Sequence, residues 1–198
     1  TWFIADPIYQ GAIPSLSKKW RLTIKAIPTA IAACFAAAAF LFFDGDHYAL
    51  LVFIGLLVCT AADVMLGVKF IVGGILFFMG HVLYISALNT FRSPTWLSLP
   101  IFLLALGGLW LFCHQYRKQI PGKLLFLGIL VYCIALGLLL AFSLPLPFLN
   151  FSRRSLLAAL GAALFVLSDM GTCHCMLKTT SKRFDYCSLG IYYSAQIL

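Results

Sequence analysis

The sequence contains no glutamate; its six acidic residues are all aspartates. Charged residues make up 10% of the chain, against about a quarter in an ordinary soluble domain. No polar run exceeds a loop in length, so no separate water-soluble domain is expected. The signatures of several reaction classes are missing as well. There is no G-x-S-x-G nucleophile turn, no phosphate-cradling glycine loop, no dinucleotide fingerprint and no H-E-x-x-H pair. Any chemistry must use aspartate, histidine, tyrosine, lysine or cysteine.

What the chain has in abundance is hydrocarbon: 63% hydrophobic residues and a mean hydropathy of +1.01. Apolar runs of about 18 residues or more are long enough to cross a bilayer. Such runs lie near 24–43, 47–66, 69–90, 95–113, 122–142 and 155–177, and another begins near Phe184. The expected fold is all-α, a polytopic transmembrane helix bundle forming one domain over 1–198, with seven spans visible after an irregular segment, 1–20. At about 1.5 Å per residue the stretch 184–198 is too short for a crossing, so that helix is expected to be cut at Leu198. Asp6, Pro7, Gly11 and Pro14 interrupt the beginning, so no cleavable signal peptide is expected there.

The net charge of +8 raises the question of nucleic acid, but the basic residues sit at span ends. That placement fits topology signals and anionic lipid, and no nucleic-acid partner is expected. With the segment before the first span in the cytoplasm, that side collects eleven of the fourteen basic residues, Lys25, Lys69, Lys118 and Lys178 among them. Arg92, Arg153 and Arg154 remain on the other side, beside Asp44 and Asp46. The bias orients the chain by the positive-inside rule.

Seven cysteines fall mostly within apolar runs and read as reduced packing residues. Cys173-His174-Cys175 looks like part of a metal site, but alternate helical residues point about 200° apart, so one ion would hardly take both sulfurs. No metal or cofactor is expected.

Two aspartates fall inside the spans: Asp63 in Ala62-Asp63-Val64-Met65-Leu66, and Asp169 in Val166-Leu167-Ser168-Asp169-Met170. An ionisable group at membrane depth usually faces a polar cavity and works there. The structural alternative is a bond to a nearby hydroxyl, Thr60 or Ser168. His81 and Tyr84 share one helical face, and so do Tyr192 and Gln196, with Tyr193 beside them. These side chains also suit interhelical hydrogen bonding. Gly73, Gly74 and Gly80 are expected to thin their helix for close packing. Lys25 fits a snorkelling role at the interface, and Tyr132 an ordinary packing aromatic. In the orientation above, the polar set gathers in the cytoplasmic half of the bilayer, compatible with one cavity on that side.

Ala62-Asp63-Val64-Met65-Leu66 followed by Phe77-Phe78-Met79-Gly80-His81-Val82-Leu83-Tyr84 resembles the G-D-x-x-L … F … H-x-x-Y pattern of the YhhN-type lysoplasmalogenase family. Gly161 to Asp169 resembles its G-A-x-L-F-x-x-S-D segment, Tyr192-Tyr193-Ser194-Ala195-Gln196 its Y-Y-x-A-Q ending, and Lys25-Ala26-Ile27-Pro28 its lysine-proline start of an early span. The resemblance runs from about residue 21 to the end. Ala62 stands where a glycine often precedes the first aspartate, and Cys175 where an asparagine commonly follows the second. The family usually has eight spans, so the first would be missing or reduced to 1–17.

The resemblance implies hydrolysis of the vinyl-ether bond of lysoplasmalogens to a fatty aldehyde and a glycerophospho-head group, in the plasma (inner) membrane. A vinyl ether is not an acyl group, so no serine nucleophile is needed. Protonation of an alkene carbon, an oxocarbenium-like cation and attack by water suit two carboxyls, much as in glycoside hydrolysis. On this reading Asp63 and Asp169 are the catalytic pair. His81, Tyr84, Tyr132, Tyr192, Tyr193 and Gln196 would orient water or substrate, and Lys25 would meet the lipid phosphate. The partners would be the lysophospholipid substrate and membrane lipid. The competing classes are a lipid or proton-coupled small-solute transporter and a catalytically inactive membrane relative. Against transport, the sequence has no internal repeat with paired broken helices.

Overall fold

The computed structural model of the chain describes residues 18–42, 46–120, 122–178 and 182–198, with the side chains of 18–25, 182 and 185 outside the described set. Seven long helices follow one another among the described residues, and no strand occurs there. They are α1 (Lys18–Phe42), α2 (His47–Leu66), α3 (Phe70–Phe91), α4 (Ser98–Gln115), α5 (Lys123–Ser143), α6 (Arg153–Leu177) and α7 (Lys182–Ile197). One helical turn, Leu146–Leu149, lies between α5 and α6.

The helix boundaries have local causes. Asp46 caps α2: its backbone is extended and its carboxylate accepts from the Ala49 N–H at 2.8 Å. Ser152 and Ser155 form a reciprocal capping box, which starts α6 at Arg153, two residues before the apolar run expected at 155. Gly122, with φ of 84°, supplies the left-handed residue that turns the chain into α5. Pro28 lies inside α1 without ending it. That helix begins at Lys18 and carries a basic turn ahead of its apolar stretch.

Five helices are long and apolar enough to cross a membrane: α2, α3, α4, α5 with the turn after it, and α6. The apolar part of α1 among the described residues, Ala26–Phe42, is shorter than that, and α7 spans 16 residues. The large apolar side chains point outward, as bilayer solvation allows: Phe35, Leu104 and Leu124 are each more than 70% exposed. The buried set includes Thr29, Asp63, His81 and Ser168. In hydrocarbon there is no water to reward an exposed polar group, so polar groups turn inward to find partners.

The packing order closes a ring: α1 on α2, α2 on α3, α3 on α5, α5 on α6, α6 on α7, and α7 back on α1. The helix α4 packs against α5. Small residues set the spacing. A Cβ on Gly80 would come within 2.6 Å of the Cys59 sulfur, and one on Gly73 within 2.5 Å of the Leu66 backbone. Both glycines let α3 approach α2 closely. Gly74 meets nothing within 4 Å, so it has no part in that packing, contrary to expectation.

Candidate active site

Each helix of the ring sends at least one polar side chain into the same interior. From α1 comes Thr29, from α2 Asp63, from α3 His81 and Tyr84, from α5 Tyr132, from α6 Asp169, and from α7 Tyr192 and Gln196. Asp63, His81 and Thr29 have no exposed surface.

Asp63 is held by two hydroxyls. Thr29 Oγ1 donates to Asp63 Oδ2 at 2.9 Å, and the Tyr192 hydroxyl donates to the same oxygen at 2.8 Å. Thr29 Oγ1 also lies 3.5 Å from the Tyr192 hydroxyl. The helices α1, α2 and α7 are thereby tied at one carboxyl oxygen. Asp169 accepts from the Tyr132 hydroxyl at 2.5 Å, and His81 Nε2 lies 3.9 Å from its Oδ2. The His81 ring is oriented from behind: Nδ1 sits 2.6 Å from the Phe77 carbonyl on its own helix. The Asp169 side chain keeps 18% of its surface exposed, against none for Asp63.

Phe165, one turn before Asp169, links the two halves. Its ring centroid lies 4.7 Å from that of His81, 5.7 Å from that of Tyr192 and 6.4 Å from that of Tyr84, each in an edge-on arrangement. Cys59, fully buried, belongs to the same cluster as Phe165 and Tyr192. Tyr84 closes the group by donating to Gln196 Oε1 at 2.9 Å, with Cys59 Sγ 3.6 Å from the same hydroxyl. Gly55 makes room for that phenol, since a Cβ there would come within 2.5 Å of the ring.

Several sequence expectations meet the structure here. His81 and Tyr84 share a face and enter the site together, as do Tyr192 and Gln196. Tyr132 is more than a packing aromatic, because it bonds Asp169. Tyr193 is partly buried against the same apolar cluster, with its ring 5.4 Å from that of Tyr192. The side chain of Lys25 lies outside the described residues. The hydroxyls expected as structural partners of the aspartates go elsewhere. Thr60 Oγ1 bonds the Leu56 carbonyl one turn back, and Ser168 exchanges bonds with Ser188 across α6 and α7. Thr29 and Cys59 were not singled out in the sequence. The one signal for Thr29 was its place four residues after Lys25, on the same helical face.

His174 bonds the Tyr116 hydroxyl through Nδ1 at 2.6 Å, and no group of three or more metal-ligating side chains gathers among the described residues. A shallow cleft lined by Asp46, His47, Tyr48, Thr90 and Phe91 lies at the other end of α2 and shares no residue with the aspartate site.

The arrangement brings two carboxyls, an imidazole and three phenols into a water-poor interior. It is suited to moving protons and to stabilising a positive charge. In comparison with known proteins, the chain matches the YhhN family over residues 20–198. No curated protein and no solved structure matches it.

Proposed function

The chain belongs to the YhhN family, and from that premise we propose that it is a membrane-embedded hydrolase that cleaves the vinyl-ether bond of lysoplasmalogens, releasing a fatty aldehyde and a glycerophospho-head group. The observation that carries the reading is the convergence of Asp63 and Asp169, one from α2 and one from α6, on a single buried core with His81, Tyr132 and Tyr192 around them. Two carboxyls kept at membrane depth for packing alone would be costly in hydrocarbon. Six helices each supplying a polar group to one interior is the economy of a reaction site.

The chemistry follows from the bond. A proton adds to the alkenyl carbon away from the ether oxygen, and the oxygen lone pair stabilises the cation left on the neighbouring carbon. Water adds to that carbon, and the resulting hemiacetal splits into aldehyde and alcohol. One carboxyl supplies the proton, and the other offsets the positive charge in a medium where charge pairs interact strongly. The tyrosines and Gln196 hold the carboxyls, the water and the substrate in register. Lys25 is proposed to receive the lipid phosphate where α1 meets the interface, with the site in the cytoplasmic half of the plasma (inner) membrane.

Purified protein mixed with a lysoplasmalogen is expected to release aldehyde, and Asp63→Asn and Asp169→Asn are each expected to stop it. Release that survives both substitutions would remove the mechanism. No release from the intact protein would favour transport or an inactive relative.

A further inference from the structure

His81 has no exposed surface, and its Nε2 makes no hydrogen bond among the described residues. Resting on the hydrolase reading, we infer that this nitrogen receives the free hydroxyl on the second glycerol carbon of the lysoplasmalogen. His81 is then the residue that selects substrates carrying that hydroxyl over those in which it is esterified.

The ring is set in place before any ligand arrives. The Phe77 carbonyl can only accept, so the hydrogen lies on Nδ1, 2.6 Å from that oxygen. In its neutral form the imidazole then presents a lone pair at Nε2. Phe165 and Tyr132 stand edge-on to the ring, with centroids at 4.7 and 5.2 Å, and fix it from the sides. Neither supplies a hydrogen, because phenylalanine has none to give and the Tyr132 hydroxyl is directed to Asp169. Asp169 Oδ2, at 3.9 Å from Nε2, is beyond hydrogen-bond length. A sealed acceptor without a donor is unfavourable, and a ligand that brings a hydrogen relieves it.

The substrate determines which hydrogen fits. A lysoplasmalogen carries its vinyl ether on the first glycerol carbon and a hydroxyl on the second, so the hydroxyl lies a few bonds from the alkenyl group. The amine of a head group lies beyond the phosphate, too far along the molecule to share the place. With the alkenyl group against Asp169, the hydroxyl falls beside it, and the 3.9 Å between the two side chains suits neighbouring groups of one glycerol. The Asp169 side chain keeps 18% of its surface open, so the pair is reached from its side. A plasmalogen acylated at the second carbon has no hydrogen to offer and leaves Nε2 unpaired. A site built to bond a substrate hydroxyl rejects analogues without it for that reason.

The test compares two vinyl-ether lysophospholipids on the full chain in detergent, one with the hydroxyl and one with hydrogen in its place. The unsubstituted protein should cleave the deoxy lipid with a kcat/KM lower by about 10-fold or more. In His81→Phe, cleavage of the hydroxyl lipid should fall to that of the deoxy lipid, so the preference disappears. A structural role alone would slow both lipids alike and keep their ratio. That result, or equal cleavage of both by the unsubstituted protein, overturns the inference. His81→Gln can place an amide oxygen near the position of Nε2 and should keep part of the preference. Where His81→Phe does not fold, the comparison in the unsubstituted protein and in His81→Gln carries the test. Binding is read separately with saturated alkyl-ether lysophospholipids, which have no alkene to protonate. The one with the hydroxyl should bind the unsubstituted protein about 10-fold more tightly than its deoxy counterpart. If the intact protein releases no aldehyde, the hydrolase reading fails, and the binding comparison still decides: equal binding of the two alkyl ethers overturns recognition of the hydroxyl.

Discussion

Tyr192 donates its phenolic hydrogen to Asp63 Oδ2 at 2.8 Å, joining residues 129 positions apart on α7 and α2. With Thr29 on the same oxygen, this contact ties the last helix of the ring to the first two. A hydrogen bond to a charged group contributes about 1.5–3 kcal/mol, so losing one that matters in the transition state slows a reaction by roughly 10- to 100-fold. Tyr192→Phe keeps the ring that packs against Phe77 and Phe165 and removes only the hydroxyl. Aldehyde release by Tyr192→Phe should fall within that range, with helix content by circular dichroism unchanged. Release equal to that of the unsubstituted protein would show that the Tyr192 hydroxyl is not needed to hold Asp63.

The approach of α3 to α2 depends on Gly80 lying against Cys59, where an added Cβ would sit 2.6 Å from the sulfur. Overpacking of this kind costs about 1–3 kcal/mol. Gly80→Ala should therefore lower the thermal midpoint of the purified protein. Cys59→Ala removes the sulfur that collides, so the double variant should recover part of the loss. The four midpoints form a double-mutant cycle whose coupling opposes the single effect of Gly80→Ala. Strict additivity would show that the two residues do not touch in the folded protein.

The helices were legible in the sequence because each is a long apolar run, and the ends moved where a local bond overrode hydropathy. The Ser152–Ser155 box drew α6 forward to Arg153, and α1 gained its basic first turns. Faces were legible too: His81 with Tyr84, and Tyr192 with Gln196, follow from helical spacing. Which faces meet was not. Tyr84 reaches Gln196 across 112 positions and Asp63 reaches Thr29 across 34, and no local pattern encodes those encounters. Thr29 is one hydroxyl in an alanine-rich helix and has no periodic signature. Thr60, though close to Asp63 in sequence, satisfies its hydroxyl on its own helix at the Leu56 carbonyl, as threonines in apolar helices do.

The register of α4 against α5 rests on another close pair. The sulfurs of Cys113 and Cys133 lie 3.5 Å apart, both buried and both free thiols. In a variant retaining only these two cysteines, mild oxidation of the folded protein should join them, each thiol giving up one hydrogen to the oxidant. Intact-mass measurement after blocking residual thiols should then find one internal disulfide. Free thiols that persist while an unfolded control oxidises would require a different register between the two helices.

Orientation is open to a direct measurement, and the fold sharpens what to measure. Asp46 and Arg154 approach to 4.0 Å, which puts the loop before α2 and the start of α6 at one end of the bundle. An exposed pair of this kind contributes little to stability, but it identifies the end with few basic residues. Arg117, Lys118 and Lys178 lie at the other end, where Lys178 stands over the Tyr116 ring at 5.5 Å and Arg117 over Phe126 at 4.3 Å. The positive-inside rule assigns that basic end to the cytoplasm. Ser93 and Lys118 are exposed residues at opposite ends and suit single-cysteine probes once the exposed Cys34 and Cys187 are replaced by serine. In intact cells Ser93→Cys should react with a membrane-impermeant maleimide, while Lys118→Cys should react only after permeabilisation. The reverse pattern would turn the bundle over and move the two aspartates to the outer half of the bilayer, where the lipid phosphate proposed for Lys25 would have to belong to the other leaflet.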